Sequence, residues 1–198
     1  MSYPRLIESV IDQLTKLPGI GRRSAERMAF WFLKNPRDEV ERTVTSIMRL
    51  KDGLRFCRLC NNFSETEVCP ICSAPGRDTK TICVVENPKD LLALEQTRIY
   101  HGLYYVLLGA IAPSEGRGPD DLRLDRLIRL IKDRGIKEVI IATDADTEGE
   151  MTALHIQKVL KPSGLKISRI GLGLPVGSSL EYADLSTLTM SMSARREI

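Results

Sequence analysis

Cys57 and Cys60 stand in "CRLC" and Cys69 and Cys72 in "CPIC", with eight residues between the pairs. A Cys-x-x-Cys turn aims two thiolates at one point, and two such turns make a tetrahedral four-sulfur site suited to zinc. With all four positions filled by protein, no position is left for water. The metal would then be structural, and its binding energy would help to fold the segment that holds it. A redox dithiol and an iron-sulfur cluster compete for the same residues, but two pairs inside one loop-rich stretch favour zinc. Cys83 lies in the apolar run "TICVV" and reads as a small buried residue. His101 and His155 have no companions that suggest ligation and read as structural.

A second concentration of reactive groups is "DADTEGE", residues 144–150, directly behind the β-branched run "EVIIAT"; Glu86 likewise follows "TICVV". In a parallel sheet, ligands gather beyond the carboxyl ends of the strands, so Glu86, Asp144 and Asp146 converge if the two strands are neighbours. Asp144 and Asp146 are two apart on extended backbone and can share one cation, and hard oxygen ligands suit Mg²⁺. Without a cation these acids repel, and at least one should have its pKa raised. Thr147 is the expected cap of the following helix, with Glu150 completing a capping box. Glu148 either stabilises the positive end of that helix or assists the metal. An exposed acidic turn without metal has the same spacing, and spacing alone leaves the two readings level.

The third site is a hairpin, "LTKLPGIGRRSAERMAF". Gly19 and Gly21 permit positive φ and a close backbone approach, leaving amides at the start of the next helix free to point at an anion such as phosphate. Arg23 and Arg27 are four apart, share one helical face and could grip neighbouring phosphates without reading bases. An ordinary helix-helix turn with solvated arginines is the bland alternative. The leading Leu17 and Pro18, the trailing arginines and the flanking helices favour DNA binding. In these features the stretch resembles a helix-hairpin-helix element, which implies sequence-independent contact with the DNA backbone.

These sites need elements to position them. Ile7, Val10, Ile11 and Leu14 recur at helical spacing, as do Ala25, Met28, Ala29 and Phe32 beyond the hairpin. A third helix is expected after Pro36, with Asp38 as cap and Val40, Val44 and Ile47 on its inner face. Residues 1–54 thus read as all-helical and 55–79 as a loop-rich insert that needs a staple. From residue 80 strand and helix alternate. The runs "TICVV", "LYYVLL", "EVIIAT" and "LKISRI" read as strands, with a helix opened by Asn87 and Pro88, a helix carrying Leu124, Leu127, Ile128 and Ile131, and a helix from Thr147. Such alternation predicts a parallel sheet with helices on its faces over residues 80–175. Residues 176–198 lack a clear period and read as an arm that packs on a neighbouring subunit.

Composition narrows the class. The chain has 198 residues, 42% of them hydrophobic, enough to bury a core. It has no apolar run of eighteen residues and no apolar segment at its start, so a cytoplasmic protein without a membrane contact is expected. A net charge of +3 does not announce a nucleic-acid binder; its distribution does more, with Arg22, Arg23 and Arg27 clustered early and the acids late. Five cysteines without a secretion signal argue against a disulfide framework.

A glutamate after one strand and "DxD" after a later one resemble the Toprim domain of topoisomerases, primases and some nucleases. Helix-hairpin-helix, four-cysteine zinc module and Toprim domain, in this order and length, resemble the RecR family of bacterial recombination mediators. The resemblance spans nearly the whole chain, through "LPGIG", the two "CxxC" pairs, "ICVVE", "GPDD", "EVIIAT", "EGE" and "LPVG". It implies a non-catalytic DNA-repair protein, associated with the nucleoid, that forms a dimer or a ring-like tetramer around DNA. It also implies RecO and RecF as partners in loading recombinase onto single strands coated by single-strand-binding protein. By position, Gly19, Gly21, Arg22, Arg23 and Arg27 fall to DNA, and Glu86, Asp144 and Glu148 to partners, mainly RecO.

Three residues depart from the family pattern. Asp144 and Ala145 replace a usual Asn-Pro and complete an acid set that is normally incomplete, which reopens Mg²⁺ binding. Arg22 replaces a frequent proline and adds charge beside the phosphate site. Ser178 replaces a second glycine in "PVGG" and must accept that position's backbone conformation. The rival reading is a Mg²⁺-dependent Toprim nuclease with Glu86, Asp144 and Asp146 on the metal. A zinc-containing adaptor that never touches DNA is a third, and the hairpin counts against it.

Overall fold

Proline has no amide hydrogen and a fixed φ, so it opens helices readily. Pro4 is the cap residue of α1 (Arg5–Leu14), and Pro36 that of α3 (Arg37–Gly53). Between them, α2 (Arg22–Lys34) packs against α1. Ile11, Ala25 and Ala29 are buried at this contact, with Ile7, Leu14 and Ile20 around them. Alanines at i and i+4 remove side-chain bulk from one face of α2 and let α1 approach closely. The expectation for α3 needs correction. Asp38 sits in the first turn and pairs with Arg42 at 3.1 Å instead of capping. Val44 and Ile47 are exposed, and α3 buries none of its residues. Periodicity marks an apolar face but does not supply the partner that covers it.

The computed structural model describes residues 3–195 except 123 and 172. These form two compact units, the first ending at Leu54 and the second starting at Arg55. The second unit opens with a short antiparallel pair, β1 (Arg55–Phe56) and β2 (Phe63–Ser64), and a single helical turn, α4 (Pro70–Ser73). Then follow β3 (Asp78–Val85), α5 (Pro88–Gln96), β4 (Gly102–Val106), α6 (Leu124–Arg134), β5 (Glu138–Ala142), α7 (Thr147–Leu160) and β6 (Lys166–Arg169). All four longer strands are parallel, in the order β4-β3-β5-β6. The alternation expected from residue 80 onward is what forms.

Successive strand residues point to opposite faces, and each face finds its helices. Ile82, Val84, Val139 and Ile141 pack with Leu127 and Ile131 of α6 and Ile156 and Leu160 of α7. Cys83, Val85, Tyr104 and Val106 pack with Leu91 of α5. The chain passes from β3 to β4 on one side and from β4 to β5 on the other. The crevice between the carboxyl ends of β3 and β5 is therefore the switch point where α/β sheets place their sites.

Beyond β6 the arm is more regular than its sequence pattern suggested. Pro175 to Ser178 form a turn in which Ser178 N–H donates to the Pro175 carbonyl at 3.1 Å, with Gly177 at φ 84°. Gly177 carries the positive φ, so Ser178 stands where no glycine is needed. A helix, α8 (Leu185–Ser193), follows, because Asp184 accepts the Thr187 amide at 2.9 Å and caps it. Its Ser/Thr-rich sequence concealed the helical period. Residues 1, 2 and 196–198, which the first region and the arm were expected to include, lie outside the described residues.

Candidate functional sites

The four paired cysteines converge. Their Sγ atoms all lie within 4.8 Å of one another, with Cys57, Cys60 and Cys69 buried and Cys72 half-buried. Cys60 Sγ and Cys69 Sγ are 3.6 Å apart. Zinc bound to four sulfurs at about 2.3 Å sets sulfurs roughly 3.8 Å apart, so the donor set fits. The Cys69 amide donates to Cys57 Sγ at 3.3 Å, which ties the second cysteine turn to the first. Hydrogen bonds from Cys60 and then Cys72 hold the Cys69 thiol far below its usual range. The site is bound to the sheet as well: Val106 N–H donates to the Cys60 carbonyl at 2.8 Å, and Asn61 Nδ2 donates to the Val106 carbonyl at 3.0 Å. β4 is an edge strand, and the cysteine loop satisfies the polar groups at its end. Cys83, by contrast, lies in the apolar face of the sheet, and burial pushes its thiol up to about 12.

At the hairpin, Gly19 has φ 79° and requires glycine, whereas Gly21 is extended at φ −82° and is the cap residue of α2. Only one of the two expected positive-φ glycines is therefore present. No side chain caps α2, which leaves its first amides open. Arg22 turns back to Glu8 at 2.7 Å and Glu26 at 3.4 Å. Its charge fastens α1 to α2 and is partly neutralised. Arg23 and Arg27 are exposed on one face and, among the described residues, have no ion-pair partner.

At the switch point β3 and β5 pair with Val85 opposite Ala142, which brings Glu86 to the turn that follows β5. Glu86 is 6% exposed, and its Oε1 accepts the Asp144 amide at 3.0 Å. Burial first, then the nearby Asp144 and Asp146 charges, raise its pKa, against the lowering effect of that amide. The cap of α7 is Asp146, whose Oδ1 accepts the Gly149 amide at 2.7 Å; the expected Thr147–Glu150 capping box does not form. Glu150 instead pairs with Arg169, at the end of β6, at 2.7 Å. Among the described residues, only the four cysteines bring three or more metal-ligand atoms within 4.8 Å of one another. Asp144 is exposed, and Glu148 is half-buried beside Ser114.

Family models match four segments of the chain. The family models for the RecR helix-hairpin-helix, the RecR four-cysteine zinc finger domain, the Toprim domain and the RecR C-terminal region match residues 7–49, 54–74, 80–171 and 173–196. A protein named "Recombination protein RecR" from Endomicrobium trichonymphae is 44% identical over 198 residues, covering both chains fully. Proteins of the same name from Acidothermus cellulolyticus and Tropheryma whipplei are each 46% identical over 196 residues, covering 99% of this chain and 98% and 99% of theirs. The chain belongs to the RecR family. Its four close cysteines lie in the segment that the RecR zinc finger model matches, which supports a structural zinc, and no helix among the described residues is long and apolar enough to cross a membrane.

Two residues that shape the Toprim turn of this RecR chain escaped the sequence reading. Arg169 Nη1 donates to Thr143 Oγ1 at 2.7 Å and its Nη2 to the Asp144 carbonyl at 3.2 Å, so a cation is built into the protein behind the acids. A Cβ on Gly149 would collide with the Asp144 carbonyl, so only glycine lets α7 start this close to the turn. A glycine in the first turn of a helix was the available signal for the second. Arg169 had none, since it lies 25 residues from Asp144 in sequence.

Proposed function

We propose that this chain is a non-catalytic recombination mediator of the cytoplasm that grips DNA through its hairpin and works with RecO and RecF to promote recombinase loading. The carrying observation is Gly21. Its φ is one any residue adopts, and a Cβ there would meet nothing within 4 Å, so the protein itself makes no demand for glycine. A demand from outside accounts for it: a bare backbone beside the open amides of α2 lets a phosphate come close. Arg23 and Arg27 then flank that phosphate. Arg22 acts mainly as the strut to Glu8.

The Toprim turn serves as a docking surface in this reading. Asp144 and Glu148 offer their charge outward while buried Glu86 holds the turn from within. Against a Mg²⁺-dependent nuclease stand the use of Asp146 Oδ1 as a helix cap and the guanidinium of Arg169 behind the turn. Self-association into a dimer or tetramer fits the exposed Leu6, Leu33, Ile47 and Leu50 of the helical unit.

The test is DNA affinity against salt. Phosphate-dominated binding should weaken steeply as salt rises and show little sequence preference. The Arg23→Ala, Arg27→Ala double variant should bind more weakly on every sequence, with the salt slope reduced by about 2. Unchanged affinity in the double variant would move the DNA contact elsewhere.

A further inference from the structure

An open groove of about 960 Å³ runs along the outer side of α2, and its lining combines charge with aromatic surface. Arg27, Trp31 and Lys34 stand at i, i+4 and i+7 and so share one helical face, with Arg23 a turn before them. Glu26 is the acid in the lining, and it is already paired with Arg22. The groove is therefore net cationic. Trp31 is 41% exposed, a large apolar ring left in water between two cations. Phe32 meets it edge to face at 5.4 Å, and Tyr3 braces neighbouring Phe30 the same way at 5.5 Å. These contacts limit the rotation of the rings and so lower the entropy lost when something stacks on them.

Phosphate gripping needs the arginines and the amides but gives no role to an exposed indole. We propose that the groove is a binding site for single-stranded DNA, in which an unpaired base stacks on Trp31 while Arg27 and Lys34 hold the phosphates on either side. This rests on the reading of the hairpin as a DNA contact and adds a second mode to it. Cationic grooves with interleaved aromatic rings bind single strands because every base offers a stacking face. Duplex DNA keeps its bases stacked inside and can use only the hairpin. The chain would then hold duplex backbone at the hairpin and unpaired bases along α2, as a junction between the two presents them.

Trp31 is the one tryptophan in the 198 residues, so its emission reports on this groove alone. The zinc-loaded full chain is titrated with a fluorescein-labelled oligo-dT and with a labelled blunt duplex, following anisotropy for binding and tryptophan emission for stacking. Oligo-dT should quench the emission, and the duplex should bind without doing so. Trp31→Ala should lose roughly ten-fold in affinity for oligo-dT and keep its duplex affinity, and Trp31→Phe should retain most of both. Oligo-dT that binds with unchanged emission, or an equal loss on both probes in Trp31→Ala, overturns the stacking site and leaves the hairpin reading intact. Emission that shifts with protein concentration and ignores oligo-dT overturns it in favour of a second copy covering the groove. If Arg23→Ala, Arg27→Ala binds both probes as wild type does, the hairpin reading fails and this proposal fails with it.

Discussion

Glu86 Oε1 accepts the backbone amide of Asp144 at 3.0 Å, tying the end of β3 to the turn beyond β5. The carboxylate is buried, and its pKa is raised. Between its unfolded and its folded pKa the native state holds a proton that the unfolded state has lost, so stability falls as pH rises through that window. Above the folded pKa the cost stays constant. Glu86→Gln keeps an oxygen for the Asp144 amide and removes the charge. It should match the wild type below the unfolded pKa, gain on it as pH rises, and hold a constant advantage above the folded pKa. Glu86→Ala leaves that amide without its partner and should lose about 1–3 kcal/mol. Denaturant midpoints across pH measure both, and a Gln variant less stable than wild type at pH 7 would contradict the account.

Zinc removal should loosen more than the cysteine loop. The Cys60 carbonyl and the Asn61 amide hold both polar groups of Val106, so unfolding the loop exposes the edge of β4. We expect one zinc per chain, and chelation should speed amide exchange at Val106 while Ile141, inside the sheet, stays protected. Four thiols should become reactive on chelation, because Cys83 remains buried with its thiol raised to about 12. A fifth reactive thiol would mean that the sheet itself had opened.

Much of this was legible because the signals were local. The cysteine spacing, the hairpin and the strand runs each sit within a few residues, and the convergence of Glu86 with Asp144 followed from one assumption, that β3 and β5 pair. Other features were not legible, each for a physical reason. Asp146 and Thr147 are both good caps, and only the backbone path decides between them. Arg169 reaches the acids across the sheet, which no periodicity encodes. α3 carries an apolar pattern like that of α1, yet Val44 and Ile47 remain exposed, because a pattern does not reveal whether its partner lies in the same chain.

Asp146 separates capping from metal binding. As a cap, it should tolerate Asp146→Asn nearly unchanged, whereas Asp146→Ala should cost about 1 kcal/mol. A Mg²⁺ ligand would behave differently, since asparagine is neutral and should abolish the binding. Calorimetric titration of the wild type with Mg²⁺ should give no heat that Asp144→Asn, Asp146→Asn removes, and labelled single- and double-stranded DNA should stay intact. Metal-dependent cleavage that vanishes in the double variant would make this an enzyme.

Gly149→Ala tests how tightly the turn is packed. The added methyl meets the Asp144 backbone, which cannot rotate away as a side chain could, so α7 or the turn must move. The expected loss is about 1–3 kcal/mol. Helix propensity alone would predict a gain of roughly 1 kcal/mol for the same change, so the sign decides.

Arg169 makes the last prediction. Its guanidinium bonds Thr143 Oγ1 and the Asp144 carbonyl and pairs with Glu150, three groups held by one planar cation. Lysine keeps the charge but cannot fork to two acceptors in fixed directions. Arg169→Lys should therefore hold Glu150 yet release the turn, seen as faster exchange of the Asp144 amide with little loss in thermal midpoint. Arg169→Ala should lose both and destabilise the fold by about 1–3 kcal/mol. If the acidic turn docks a partner, both variants should weaken that docking even though Arg169 is not itself one of the docking acids, because Asp144 would no longer be held in place. Docking unchanged in Arg169→Ala would show that Asp144 needs no such support.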